Sequence, residues 1–170
     1  MFAWGEELLY NLYMQEFFIQ NSEIILRLFV AVILGAFIGA ERTLVHKEAG
    51  IKTHALVSLG AAVFVIVSEL VAVKYKGLAG FDPARVASQI IVGIGFLGAG
   101  AIMFQNSRLT GLTTAGGLWV TAGIGMAAGF GFFGLSVIAA VFVLAVFVIL
   151  YFVEKPIQKI SDNIDQNGIQ

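Results

Sequence analysis

Residues 132–153 read FFGLSVIAAVFVLAVFVILYFV, from Phe132 to Val153, without one charged side chain. A helix of that length is about 33 Å long and crosses the ~30 Å hydrocarbon core of a bilayer. Four more apolar runs precede it, at 23–40, 53–73, 86–104 and 112–129. The chain of 170 residues is 59% hydrophobic and 12% charged, whereas soluble domains carry about a quarter charged residues. The fold class expected is an all-α integral membrane protein, a bundle of five transmembrane helices with glycine-rich packing faces. An acidic interfacial leader covers 1–21, the five-span domain 22–153, and a short tail 154–170, where Pro156 is expected to stop the last helix.

Glu6, Glu7 and Glu16, with no Lys or Arg before residue 22, do not suit a cleavable signal, so the leader is read as retained. Trp4, Leu8 and Leu12 fit a short amphipathic piece at the interface. Net charge of −1 gives no basic footprint for nucleic acid. The absence of cysteine removes disulfides, thiolate metal sites and cysteine nucleophiles. Arg42, Lys47, Lys52, Arg108, Lys155 and Lys159 fall on one side of the five spans, and Lys74, Lys76 and Arg85 on the other. Positive charge favours the cytoplasm, which places the C-terminus inside and the N-terminus outside.

Helices in lipid associate where small side chains let backbones approach. Ala31, Gly35 and Gly39 share one face of span one, and Gly125 and Gly129 form a second G-x-x-x-G in span four. Gly93, Gly95, Gly98 and Gly100 texture span three. Gly35, Gly39, Gly95, Gly98, Gly125 and Gly129 are the expected packing positions within the chain. Two other uses are open to such faces: a homodimer contact, or local unwinding of spans three and four to line a site.

Charges beside hydrocarbon need partners, so the few that occur mark candidate sites. Arg27 lies on the stripe of Gly35 and Gly39, about one turn from the outer end of span one. Glu69 lies about one turn from the outer end of span two. An Arg27–Glu69 ion pair is expected, shared with Gln89; snorkelling of both to the interface is the alternative. Asp82 precedes Pro83 as an N-cap followed by N1 proline. Asp82, Arg85, Gln89, Arg27 and Glu69 form the outer cluster, in which Glu69 and Asp82 are the candidate ligands for a magnesium ion. The inner cluster is Glu41, Arg42, Lys47, Lys52, Arg108, Thr113 and Thr114, able to hold an anion, a lipid head group or the Glu41 carboxylate at a helix start. Positive-inside anchoring with helix capping explains it equally. His46 and His54 stand near loop ends, where a buried base is not expected. No catalytic arrangement appears, and the chain is read as no enzyme.

The stretches LGAFIGAER (34–42), KEAGIKTHALV (47–57), DPARVASQ (82–89), GIGFLGAG (93–100), GLTTA (111–115) and LWVTA (118–122) occur in this order. Together with Arg27-Leu28 they resemble the transmembrane domain of the MgtC/SapB family of bacterial inner-membrane proteins, over about residues 22–150. The resemblance implies an inner-membrane accessory or regulatory protein linked to magnesium limitation, acid stress or virulence adaptation. It would act by binding other membrane proteins, the ATP synthase among them. Many members carry a further C-terminal domain, whose roles do not carry over to these residues. The alternatives are a magnesium or proton transporter or channel, and a lipid-binding scaffold. A continuous wet path would mark the transporter, but Val63 to Val67 and Val30 to Phe37 offer it almost no polar side chain.

Overall fold

The computed structural model describes residues 19, 21–75, 82–105 and 108–167. The leader expected over 1–21 lies outside the described residues except for 19 and 21, as does Lys76. Five helices form: α1 (Ser22–Leu44), α2 (Ile51–Lys74), α3 (Pro83–Ala101), α4 (Leu112–Gly129) and α5 (Phe133–Asn167). Between α3 and α4 sits an antiparallel hairpin of β1 (Met103–Gln105) and β2 (Arg108–Thr110), with Phe104 paired to Leu109. α1, α2, α3 and α5 are each long and apolar enough to cross a membrane. The chain is an all-α multi-pass membrane protein.

α4 is the exception in composition and the centre in space. It packs against α1, α2, α3 and α5 alike. Thr114, Gly117, Thr121, Gly125 and Gly129 are among its buried residues. A helix that packs against four neighbours gains less from bulky aliphatics than from close approach.

The tightest seam encloses α2. A Cβ at Gly35 would stand 2.7 Å from the His54 carbonyl oxygen, and one at Gly39 would stand 2.6 Å from that of Gly50. From α4, a Cβ at Gly125 would lie 2.1 Å from the Ser58 carbonyl oxygen, and one at Gly129 would lie 2.8 Å from that of Ala62. Both G-x-x-x-G elements are therefore used on α2 inside one chain. Around them Ala31, Ile38, Ala61, Ala62, Val65, Ile124 and Ala128 are buried.

Three expectations need correction. Gly95 is no packing position: a Cβ there meets nothing within 4 Å, and one at Gly98 makes only ordinary contact with Ala115, at 3.6 Å. α3 meets α4 along the Gly98 side and α2 more sparsely, which leaves Gly93, Gly95 and Gly100 open. Span three ends at Ala101 and not at 104, because Met103–Gln105 pairs as a strand. Gly111 makes that reversal possible. Its φ of +84° suits glycine, and a Cβ would collide with the Ala101 carbonyl oxygen at 1.9 Å. Finally, α5 runs through Pro156 to Asn167. Proline removes one backbone donor, and the turns on either side carry the helix past it.

Candidate functional sites at the two ends of the bundle

At one end, α1 and α2 run in opposite directions and bring Arg27 level with Glu69. Arg27 Nη1 donates to Glu69 Oε2 at 2.5 Å and to the Gly129 carbonyl at 2.8 Å, while Nη2 donates to Glu23 Oε1 at 2.5 Å. The Gly129 carbonyl belongs to the last turn of α4, where free acceptors and the negative end of the helix dipole favour a cation. Arg27 thus ties three helices together, and Gly131, with φ of +77°, packs against its guanidinium. Gly129, Gly131 and Glu23 were not among the residues expected here.

The rest of the expected outer cluster stands apart. The Asp82 carboxylate accepts from Ala84 N at 2.9 Å and caps α3. Arg85 and Gln89 are exposed. Among the described residues, no hydrogen bond or ion pair joins Asp82, Arg85 or Gln89 to the Arg27–Glu69 pair. The reason is placement: α3 packs on α2 and α4, while α1 packs on α2, α4 and α5. Glu69 is committed to Arg27 and Asp82 to a helix start. Among the described residues, no three His, Cys, Asp or Glu side chains converge as a metal set.

At the other end Arg42 is buried, its side chain 4% exposed. Its Nε donates to the Glu41 carboxylate. Its guanidinium carbon lies 3.6 Å from the centre of the Phe147 ring, a stacked cation–π contact with α5. Arg42 is therefore not a surface anchor reaching for lipid head groups. Lys47, Lys52 and Thr113 are exposed and do not join it. Arg108 lies on β2, and its side chain is outside the described residues.

Thr114 is the member of the threonine run that finds a carboxylate, and the carboxylate is Glu48, not Glu41. Thr114 Oγ1 donates to Glu48 Oε2 at 2.9 Å, which pins the 45–50 loop to the first turn of α4. The Glu48 carboxyl is held below the ordinary value of 4.5, first by its own backbone N–H and then by the Thr114 hydroxyl. A depressed carboxyl pKa adds stability that is present above the ordinary value and fades as pH falls through the folded-state value. Thr114→Val should therefore flatten the acid limb of a melting-temperature profile taken between pH 7 and pH 3.5. An acid limb identical to wild type would show that the hydroxyl contributes nothing to this ionisation.

His54 corrects a further expectation. It is fully buried, with Nδ1 3.1 Å from the Gly50 carbonyl. A carbonyl only accepts, so Nδ1 carries the proton and Nε2 is left as a bare acceptor beside Gly117. Among the described residues, neither Nε2 nor the buried Ser58 hydroxyl has a hydrogen-bond partner. Position near a loop end concealed this, but the spacing of 54, 58, 61, 65 and 68 was available to reveal it. Those positions recur at helical intervals, and all are buried on the face that the glycines grip.

The MgtC family model matches residues 28–156. The chain is 43% identical over 128 residues to the Escherichia coli K12 protein named "Putative magnesium transporter YhiD", covering 74% of this chain and 60% of that one. It is 44% identical over 126 residues to "Protein MgtC" of Salmonella typhimurium LT2, covering 74% and 52%. A Haemophilus influenzae protein of unassigned role is 45% identical over 122 residues, covering 69% and 51%. The chain thus spans about half to three fifths of the length of these curated relatives. No solved structure matches it. Ordered motifs, a glycine-gripped second helix and the extent of the match lead to one assignment: this chain belongs to the MgtC family.

Proposed function

We propose that the chain is an accessory or regulatory membrane protein which conducts no ion and acts by binding other membrane proteins in magnesium-related physiology. The observation that carries this reading is the dry middle of the bundle. The buried polar side chains of α2 are His54 and Ser58 toward one end and Ser68 toward the other. Ten residues, about 15 Å of helix, separate Ser58 from Ser68. The buried residues between them are Ala61, Ala62, Val65 and Ile66. Magnesium sheds its waters reluctantly and proton relays need close polar steps, so this layer suits neither. Thr121 and Ser136 do not bridge it, since the Thr121 hydroxyl donates to the Gly117 carbonyl and that of Ser136 to the Phe132 and Ile124 carbonyls.

In this reading the Arg42 end faces the cytoplasm and the Arg27 end faces out, following the distribution of Lys and Arg. The name of the Escherichia coli relative makes magnesium the ion to test. Proteoliposomes holding the purified chain and an entrapped magnesium indicator should show influx no faster than protein-free vesicles. Magnesium flux that Glu69→Gln or Asp82→Asn abolishes would overturn the proposal.

A further inference from the structure

We infer that the groove between α2 and α3 seats an acyl chain of an anionic phospholipid whose phosphate rests against Lys52. The groove measures about 700 Å³ and has an almost wholly apolar lining. Its depth comes from missing side chains, because Cβ atoms at Gly60 on α2 and Gly93 on α3 would meet nothing within 4 Å. It opens along the surface that faces lipid, since α3 is the span with the least buried inside the bundle.

Length and width both identify the occupant. From Lys52 to Phe64 the groove follows α2 for about 18 Å. One leaflet of hydrocarbon is about 15 Å deep, half of the ~30 Å core. The groove therefore begins at one membrane edge, and along α3 it runs from Leu97 to Val86, one turn from the start of that helix; its length is that of one lipid tail. Spread over its length, about 700 Å³ corresponds to a cross-section of about 40 Å². A transmembrane helix at least 10 Å across needs about 80 Å², so a whole helix does not sink into it.

Charge selects the head group. Lys52 lies in the first turn of α2, at the membrane-edge mouth of the groove, and is exposed. Among the described residues it forms no ion pair. Thr53 beside it lines the same mouth. At this helix start Ile51 N donates to Thr43 Oγ1 at 3.3 Å, and the positive end of the helix dipole favours an anion beside Lys52. The lipid site is thus displaced from Arg42, which is buried against Glu41 and Phe147, to the opposite edge of the same membrane face. The inference stands whether or not the chain conducts an ion.

The test uses the full chain reconstituted in phosphatidylcholine vesicles containing phosphatidylglycerol, extracted in mild detergent and weighed by native mass spectrometry. Wild type should retain one phosphatidylglycerol in preference to phosphatidylcholine. Gly93→Leu and Gly60→Leu fill the groove at positions where the backbone has room for a side chain, so they should fold and lose the bound lipid. Gly95→Leu has equal room away from the groove lining and should keep it. Lys52→Gln should retain lipid but lower the preference for phosphatidylglycerol about fivefold, the worth of one lysine near an anionic surface. Retention by Gly93→Leu equal to wild type, no lipid on wild type, or equal loss in Gly95→Leu would each overturn the inference. So would a lipid-free wild-type dimer that Gly93→Leu splits, since a second chain would then occupy the groove.

Discussion

Gly125→Ala should prevent the bundle from closing, whereas Gly123→Ala, two residues away on α4, should make the protein more stable. A methyl group at Gly125 would sit 2.1 Å from the Ser58 carbonyl oxygen and 2.7 Å from its Cα, and backbone cannot turn aside as a side chain can. Relief requires α2 and α4 to part, which also undoes the fit of Gly129 against Ala62 and of Ser58 against Gly35. Overpacking of this kind costs about 1–3 kcal/mol or more, and a backbone collision belongs at the top of that range. At Gly123 a methyl group meets nothing within 4 Å. There the intrinsic gain of alanine over glycine in a helix, about 0.8–1.0 kcal/mol, is left unopposed. Thermal unfolding in detergent, followed by size-exclusion profiles, should give opposite signs for the two variants. Equal effects would mean that α2 and α4 are not in backbone contact.

The second large effect is expected at the Arg42 end. Glu41 and Arg42 have side chains 12% and 4% exposed, so removing either leaves its partner's charge without compensation among helices. Breaking a buried ion pair from one side costs about 3–5 kcal/mol. Glu41→Ala should approach that loss. Arg42→Ala should do the same and also forfeit the stacked contact with Phe147. The double change Glu41→Leu with Arg42→Met removes both charges and keeps apolar bulk over Phe147. It should recover most of the stability, because well-packed apolar residues replace buried pairs at little cost. Two inert single variants that insert normally would show that both side chains reach water. Recovery in the double variant would separate a structural role for Arg42 from a role in recruiting partners.

How much of this was legible depends on which force set each feature. An uncharged run such as 132–153 can only be lipid-facing, and alternating passes through the bilayer fix the direction of every helix. That alternation puts a residue one turn inside the start of α1 level with one near the end of α2, where Arg27 meets Glu69. What one helix says about its neighbour was harder to read. Gly35 and Gly95 look alike in sequence, yet one touches the α2 backbone and the other faces open space. The difference lies in which helices adjoin α3, and no residue of α3 encodes that alone. Glu48 was passed over because a loop carboxylate has many solvated uses, and its bond to Thr114 spans 66 positions of the chain. Met103-Phe104 continued an apolar run and was read as helix. Its reversal is set by Gly111, seven residues beyond Phe104.

The central place of α4 bears on how the chain is made. Thr113, Thr114, Thr121 and a scatter of glycines set α4 apart from the other four helices, which are long and apolar enough to cross a bilayer. It follows α1, α2 and α3 in the chain and precedes the strongly apolar α5. The short turn at 130–132 joins α4 to α5, so the two can enter as a hairpin in which α5 supplies most of the drive. The α4–α5 hairpin thus completes what α1 and α2 begin. Until α4 arrives, the Ser58–Ala62 stretch of α2 that Gly125 and Gly129 later cover waits in lipid as an unfinished assembly, exposed to membrane quality control.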